Sequence, residues 1–483
     1  MRERLILAAA ALAAFGGTLA GGFHFDDFAI FSDPALTSPS GWWQVWRPLQ
    51  TRPLTYFTFW ANYRLGGHTA WGYHVVNVAL HVGAVLALWA VLRRLIPPGA
   101  ALAAACLFAI HPMQAEAVAY VWARGTLLMT LFCLLALRDW LEDRPWRAVA
   151  WFGLALLAKE ECVAFPLVLV LLHYTTGSGR RGPVLAMLGL AAAAGARGLA
   201  ATALTPGAPA GFQAGIAPGA YLLAQGPVIW RYVRLLALPW GFTVDPAIAV
   251  PPLWRGVAAW LALLLAVLAA VRWAPKGAGF WLAAGIILLL PSSSVFPAAD
   301  LAADRRIYLP LAALAVATAL AARRVNRWAA AAALAGLVVL SVGRTLGWND
   351  GARLWEEAVR QAPGKLRPKI QLARALAPER AVEVLREARK LAPDDPAVAS
   401  ETGMVWLAMG RPAEALAEFG RALALEPGEP RNLNNRGAAL LALGQRDAAR
   451  QDFERTLAMG PCLAEARDNL RAMGVSPPPV PCP

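Results

Sequence analysis

The chain has 483 residues, of which 58% are hydrophobic and only 16% charged, with a mean hydropathy of +0.47. Charged residues alone make up about a quarter of an ordinary soluble domain, so a wholly water-soluble globular protein is excluded. The formal net charge of +14 does not point to nucleic acid, because much of it sits in short Arg clusters between apolar segments, where Lys and Arg orient membrane spans.

From the N-terminus, Arg2-Glu3-Arg4 precedes the apolar run Leu5–Gly22, 18 residues that give about 27 Å of helix, just enough to span. The run also resembles a cleavable signal peptide. With many spans following, an uncleaved anchor is expected, and either reading delivers the next residues to the outer face. Those residues, FHFDDFAIF, place the carboxylates of Asp26 and Asp27 at the membrane surface. The loop 23–71 continues with Trp42, Trp43, Trp46, Tyr56, Trp60 and Trp71, an aromatic set suited to the headgroup layer.

Apolar runs predict about eleven spans, near 5–22, 72–94, 99–118, 124–141, 146–158, 162–175, 183–204, 252–272, 278–290, 306–322 and 327–346. With the N-terminus in the cytoplasm, Arg93, Arg94, Arg144, Arg147, Arg180, Arg181, Arg272, Lys276, Arg323, Arg324 and Arg327 all fall on the cytoplasmic side. An odd number of crossings leaves the tail outside. Segment 218–239, with Arg231 and Arg234 on an otherwise apolar helix, is read as lying in the outer interface; the alternative is a further span.

Ionisable groups at membrane depth are costly and mark function. His111-Pro112-x-x-x-Glu116 lies toward the outer end of the third span, where the proline predicts a kink. His111 and Glu116 either satisfy each other between helices or contact substrate, and Arg124 begins the next span. Lys159-Glu160-Glu161 joins two apolar runs of 13 residues each, about 20 Å of helix against a hydrocarbon core of about 30 Å. The turn is therefore expected below the outer surface, reached by a water-filled cavity; a tight outer hairpin with snorkelling side chains is the alternative. Asp304-Arg305-Arg306-x-Tyr308 precedes the tenth span. Its two guanidiniums suit a lipid phosphate held bidentately, or simple attraction to anionic headgroups.

Beyond residue 346 the chain turns rich in Glu, Arg and Ala. Gly403, Gly410, Ala415, Phe419 and Pro427 recur 34 residues later as Gly437, Gly444, Ala449, Phe453 and Pro461, a period and residue pattern of tetratricopeptide repeats. An earlier unit runs from Pro363 to Pro393, and Trp355 to Pro363 forms part of a leading one. The expected division is a membrane domain over 1–346, a repeat domain over 347–473 and a Pro-rich tail over 474–483. Cys106, Cys133 and Cys162 read as small buried hydrophobes, while Cys462 and Cys482 would pair only in an oxidising compartment. No metal-ligand spacing, phosphate loop or nucleophile elbow occurs.

Taken in order, DDFAIFSDPAL, RPLTYFTFWANYRLGGHTAWGYHVVNVALH, HPMQAEAVAYVWARGTLL, AKEECVAFPLVLVLL and ADRRIYLPLAAL, leading into WNDGARLWEEAVRQAP, resemble the GT-C class of membrane glycosyltransferases. More narrowly, the chain is similar to the transmembrane-and-tetratricopeptide proteins, whose eukaryotic members include protein O-mannosyltransferases. The resemblance implies an all-α fold, a polytopic helical bundle of GT-C type followed by a tetratricopeptide solenoid. It implies inverting transfer of a sugar from a polyprenyl-phosphate carrier to an acceptor hydroxyl; protein Ser or Thr is the expected acceptor, although the chain departs from the longer members in having few repeats. The span topology and the Ala- and Arg-rich composition place that reaction at the periplasmic face of a bacterial inner membrane.

By position, Asp26 would take the acceptor proton, while Asp27 would orient the acceptor or share a proton or a divalent cation, Mg or Mn, with it. Arg305, Arg306 and Lys159, with Arg124 and Tyr308 behind them, are candidates to receive the leaving phosphate. His111, Glu116, Glu160, Glu161 and His74 would support them. The implied partners are the lipid-linked donor, a protein or peptide acceptor in the repeat groove, and the membrane. The alternative is a non-enzymatic membrane scaffold displaying repeats to envelope assembly partners; loss of the acidic pair would mark it, and the pair is present. A transporter would carry two related halves, and none are seen.

Overall fold

The computed structural model describes residues 1–47, 50–176, 181–205, 210–211, 214–275, 277–460 and 463–478. Arg180, Lys276, Pro461, Cys462 and Cys482, which carried expectations about topology, repeat phase and disulfide pairing, lie outside those residues. The described residues are helical, with one isolated β-bridge between Ala210 and Ala298. They form two compact units, Met1–Asp350 and Gly351–Pro483.

In the first unit, the long apolar runs become helices because lipid offers no partners to free backbone groups. Among the described residues, seven helices are long and apolar enough to cross a membrane: Arg2–Ala20, Ala70–Leu95, Val121–Leu141, Arg181–Leu204, Leu253–Ala270, Asp304–Arg324 and Arg327–Trp348. An eighth candidate is Pro98–Ile110 with Pro112–Ala119, bent by 48° where Pro112 removes a helical hydrogen bond. The other three segments expected to span are helices of only 14, 12 and 12 residues, Pro145–Ala158, Phe165–Thr176 and Ala278–Leu289. At about 1.5 Å per residue they reach only some two thirds of the hydrocarbon thickness. All eleven expected segments are thus helical, and seven or eight have spanning length.

The helices sort into an inner and an outer set. Val121–Leu141 and Asp304–Arg324 are mostly buried, whereas Leu253–Ala270 buries only 6% of its apolar window. Leu261, Leu264, Leu265 and Leu268 on that helix face outward. Such a surface is tolerable only against lipid, and the chain is an integral membrane protein. Small residues bring inner helices close: a Cβ at Gly285 would lie 2.9 Å from the Leu314 side chain.

The helix Pro218–Ala237 is not among those long and apolar enough to cross a membrane. Its fit to the outer interface is also partial, because one face packs inward. Tyr221 donates to the carbonyl of Ser292 at 2.7 Å, Gln225 to Leu301 at 3.1 Å and Tyr232 to Ala303 at 2.9 Å. Arg231, expected among lipid headgroups, instead turns in to Asp304 at 2.6 Å.

In the second unit the 34-residue period is repeated in the helices. Pro396–Ala408 and Pro412–Leu425 recur as Pro430–Ala442 and Arg446–Met459. Phe419 and Phe453 are wholly buried, each beneath a glycine of the preceding helix. A Cβ at Gly403 or Gly437 would stand 2.7 Å from the ring, so only glycine allows that approach.

Candidate active site

The acidic pair occupies a single 3-10 turn, Phe25–Phe28, entered through extended His24. Phe25 takes a left-handed conformation, φ 49°, uncommon for a bulky residue and a mark of local strain. Three rings surround it: Tyr120 at 5.6 Å, Trp348 at 6.2 Å and His24 at 6.2 Å between centroids. The turn is pinned to the end of the last apolar helix by His24, whose Nε2–H donates to the Trp348 carbonyl at 2.5 Å.

The two carboxylates diverge at once. Asp27 is wholly buried. Its Oδ2 accepts from the His24 amide at 2.9 Å and its Oδ1 from the Trp122 amide at 2.7 Å. Burial pushes its carboxyl up to about 8, against the pull of those amides toward the charged form. Asp27 therefore holds the turn together, buried with an amide on each oxygen, a structural place rather than the expected one of orienting the acceptor or sharing a proton or cation with Asp26. Asp26 is exposed. The hydroxyl of Tyr120 donates to its Oδ2 at 2.8 Å and accepts from its amide at 3.3 Å.

Tyr120 comes from the break between the helix Ala115–Ala119 and the next span, where the backbone is extended. Asn77 donates to the carbonyls of Val118 and Tyr120, at 3.3 Å each. The guanidinium of Arg305 lies 5.8 Å from the Tyr120 ring centroid. Arg305 is ion-paired with Glu116, which also accepts from the amides of Asp304 at 2.8 Å and Arg305 at 3.3 Å. Glu116 thus fixes the Asp304–Arg305 turn beside the acidic turn, rather than meeting His111. Arg306 bonds only neutral groups: the Asp300 carbonyl at 2.7 Å, the Leu301 carbonyl at 3.2 Å and the Tyr221 hydroxyl at 3.2 Å. Its charge is left uncompensated by any ion pair among the described residues.

A second charged group surrounds the 159–161 turn. Lys159 donates to Thr126 at 2.9 Å and pairs with Glu161 at 2.9 Å, while Glu160 takes a two-pronged bond from Arg52 at 3.0 and 2.5 Å. A cavity of about 290 Å³ opens beside Glu160, lined by Thr51, Leu156, Leu190 and Arg197. Its wall is mostly apolar, unlike the water-filled space expected there. The turn's three charges are instead satisfied by protein partners. The two groups lie within electrostatic reach, Lys159 feeling Arg305 and Glu161 feeling Arg306.

The remaining expected residues are engaged in packing. Arg124 is fully buried and bonds Asn77, Asn62, Thr58 and the Tyr73 carbonyl, which leaves no nitrogen for a phosphate. The Tyr308 hydroxyl, also buried, meets His81 Nδ1 at 2.7 Å between helices. His74 bonds the Gly22 carbonyl at 3.2 Å just before the acidic turn. His111 accepts from the Met113 amide at 3.1 Å and reaches the Leu236 carbonyl at 3.2 Å.

Nor do the residues fit a divalent cation. No three His, Cys, Asp or Glu side chains converge among the described residues, and both Asp27 oxygens are taken by amides. Mg or Mn keeps several waters and is usually held by one or two carboxylates, and of this pair only Asp26 is exposed to offer one.

Comparison with known proteins gives a consistent picture. Residues 47–203 match the family model for dolichyl-phosphate-mannose-protein mannosyltransferase. That stretch includes Arg52, Glu116, Tyr120 and Lys159 and leaves out both acids and the Arg305–Arg306 pair. A protein O-mannosyl-transferase of Caenorhabditis elegans is 27% identical over 362 residues, 68% of this chain and 52% of that protein. A human protein O-mannosyl-transferase is 35% identical over 162 residues, 28% of this chain and 22% of its own length. One from Drosophila melanogaster is 37% identical over 137 residues, 27% of this chain and 16% of its own. The matched region spans about half the length of the worm protein and less of the others.

Proposed function

We propose that this chain, which belongs to the protein O-mannosyl-transferase family, moves a sugar from a polyprenyl-phosphate carrier to a Ser or Thr hydroxyl at the outer face of a bacterial inner membrane. The observation that carries the reading is one exposed carboxylate, Asp26, fixed beside the Arg305 guanidinium through Tyr120.

In this reading the acceptor hydroxyl gives its proton to Asp26 as its oxygen bonds the anomeric carbon from the face opposite the leaving group. The bond from that carbon to the phosphate oxygen breaks, its electron pair stays with the phosphate, and the anomeric configuration inverts. Arg305 and Arg306 stabilise the charge that gathers on the phosphate. Arg306 is the better placed in charge, since among the described residues no carboxylate forms an ion pair with it. No step requires a metal ion. The 34-residue repeats are read as tetratricopeptide units outside the membrane, presenting acceptor segments in their groove.

Comparative glycoproteomics of envelope proteins, in cells with and without the gene, tests this reading. Hexose-bearing Ser or Thr peptides present only when the gene is intact support it. Identical glycopeptide sets in both cells would overturn it.

A further inference from the structure

A carboxylate on an exposed turn ordinarily samples several rotamers, and the loss of that freedom has an entropic cost at each turnover. Asp26 is exposed, yet it is held at two points by one side chain, since the Tyr120 hydroxyl bonds both its Oδ2 and its own amide. Tyr120 itself has little room to move. It is 3% exposed, stacked on Trp348 at 5.9 Å with the ring planes 25° apart and edge-packed by Phe25 at 5.6 Å. On the ring lies the Arg305 guanidinium, an attraction that strengthens where water is excluded. The tyrosine thus joins three separate stretches of the chain: the acidic turn, the end of the final apolar helix and the Asp304–Arg305 turn.

We propose that Tyr120 is the positioning residue for sugar transfer: its hydroxyl occupies Asp26 Oδ2, so that Oδ1 alone is offered to the acceptor, and its ring seats Arg305 for the phosphate. This rests on the transfer reading above. The two halves of the role are separable, because hydroxyl and ring are separable by substitution. The hydroxyl acts on the proton-accepting atom and so on the chemical step. The ring acts on the guanidinium and so on donor binding. Other small polar groups at this position would not do both, since a serine or threonine hydroxyl is too short to reach Asp26 from this backbone and carries no aromatic face.

The test uses the full chain in detergent, a radiolabelled short-chain polyprenyl-phosphate hexose and a Ser/Thr peptide, with wild type, Tyr120→Phe, Tyr120→Leu, Asp26→Asn, Asp26→Glu and the Asp26→Glu/Tyr120→Phe double variant. Tyr120→Phe should lower kcat by about 10- to 100-fold, the range expected when a proton acceptor is left unaligned, with donor KM unchanged. Tyr120→Leu should lose kcat and also raise donor KM, because Arg305 then keeps its Glu116 partner but loses the aromatic face that seats its guanidinium. In the Asp26→Glu background the longer side chain no longer meets the hydroxyl, so adding Tyr120→Phe should change kcat by less than about threefold, a non-additive pair. A residue that merely supports the fold would lower kcat equally in both backgrounds.

Equal losses in both backgrounds, or a Tyr120→Phe chain with wild-type kcat, would overturn the inference while leaving the transfer reading in place, provided Asp26→Asn is inactive. A wild type that transfers no hexose, or an Asp26→Asn chain that transfers it normally, would overturn the transfer reading and this inference with it.

Discussion

His24 donates from Nε2 to the main-chain carbonyl of Trp348 at 2.5 Å, so the acidic turn near the N-terminus is tied to the last residue of the final apolar helix. The two residues are 324 positions apart in sequence. The same histidine gives its amide to Asp27, which makes it a link between the two ends of the first unit.

Removing that link has a measurable cost. His24→Ala leaves the Trp348 carbonyl unpaired in a buried place, and we expect a loss of about 1–3 kcal/mol in the stability of the membrane unit. Tryptophan-fluorescence unfolding of the detergent-solubilised chain measures it. Burial also holds the His24 imidazole below its usual range. Stability from this group is therefore present above the ordinary histidine value and fades as pH falls through the lowered one.

Asp27 runs the opposite way. Its carboxyl is pushed up to about 8 from an ordinary 3.8, so the folded chain binds a proton that the unfolded chain gives up. Its contribution is whole below about pH 4 and is lost as pH rises through 8. Between pH 6 and 9 the unfolding free energy of wild type should fall with a slope of up to about 1.4 kcal/mol per unit from this proton. In Asp27→Asn the slope should lack that component, and an unchanged slope would contradict the assignment.

Among the described residues Asp26 offers a single exposed carboxylate with no cluster of three acidic, His or Cys side chains around it, a weak hold for a divalent cation. Transfer by the purified chain should accordingly survive excess EDTA with less than a twofold change in kcat. A loss restored by added Mg or Mn would show that the acidic turn rearranges to bind a cation.

In the second unit two glycines on neighbouring helices should respond in opposite directions. Gly403→Ala forces a Cβ into the Phe419 ring, at 2.7 Å, and should cost about 1–3 kcal/mol. Gly420→Ala meets nothing within 4 Å on the helix Pro412–Leu425 and should stabilise it by about 0.5–1 kcal/mol. Protease resistance of the repeats in the intact chain reads both.

What could be seen in the sequence was whatever stands out against an apolar background. Asp26, Asp27, Glu116 and Arg305 are charges beside membrane-length runs, and Pro112 announces its own kink. The division of labour within the acidic pair was hidden, because adjacent aspartates are alike until the amides of His24 and Trp122 are seen to point at one of them. Tyr120 was hidden for another reason: a tyrosine near a span end has an ordinary place in the aromatic belt. Arg124 and Tyr308 misled in the converse way, since a polar group in a span can also be satisfied wholly by neighbouring helices. Counting apolar runs located a helix at each of the eleven expected segments but did not separate the half-length ones, whose ends are set by packing, and it left the helix Pro53–Gly66 within a loop.

The most direct measurement is hexose transfer from a polyprenyl-phosphate donor by the purified full chain and by its Asp26→Asn variant, each shown by gel filtration to be folded. The account predicts transfer to a Ser/Thr peptide by wild type and a rate at least about 1,000-fold lower in the variant, whose amide cannot take up the acceptor proton. Comparable rates for the two chains would contradict it.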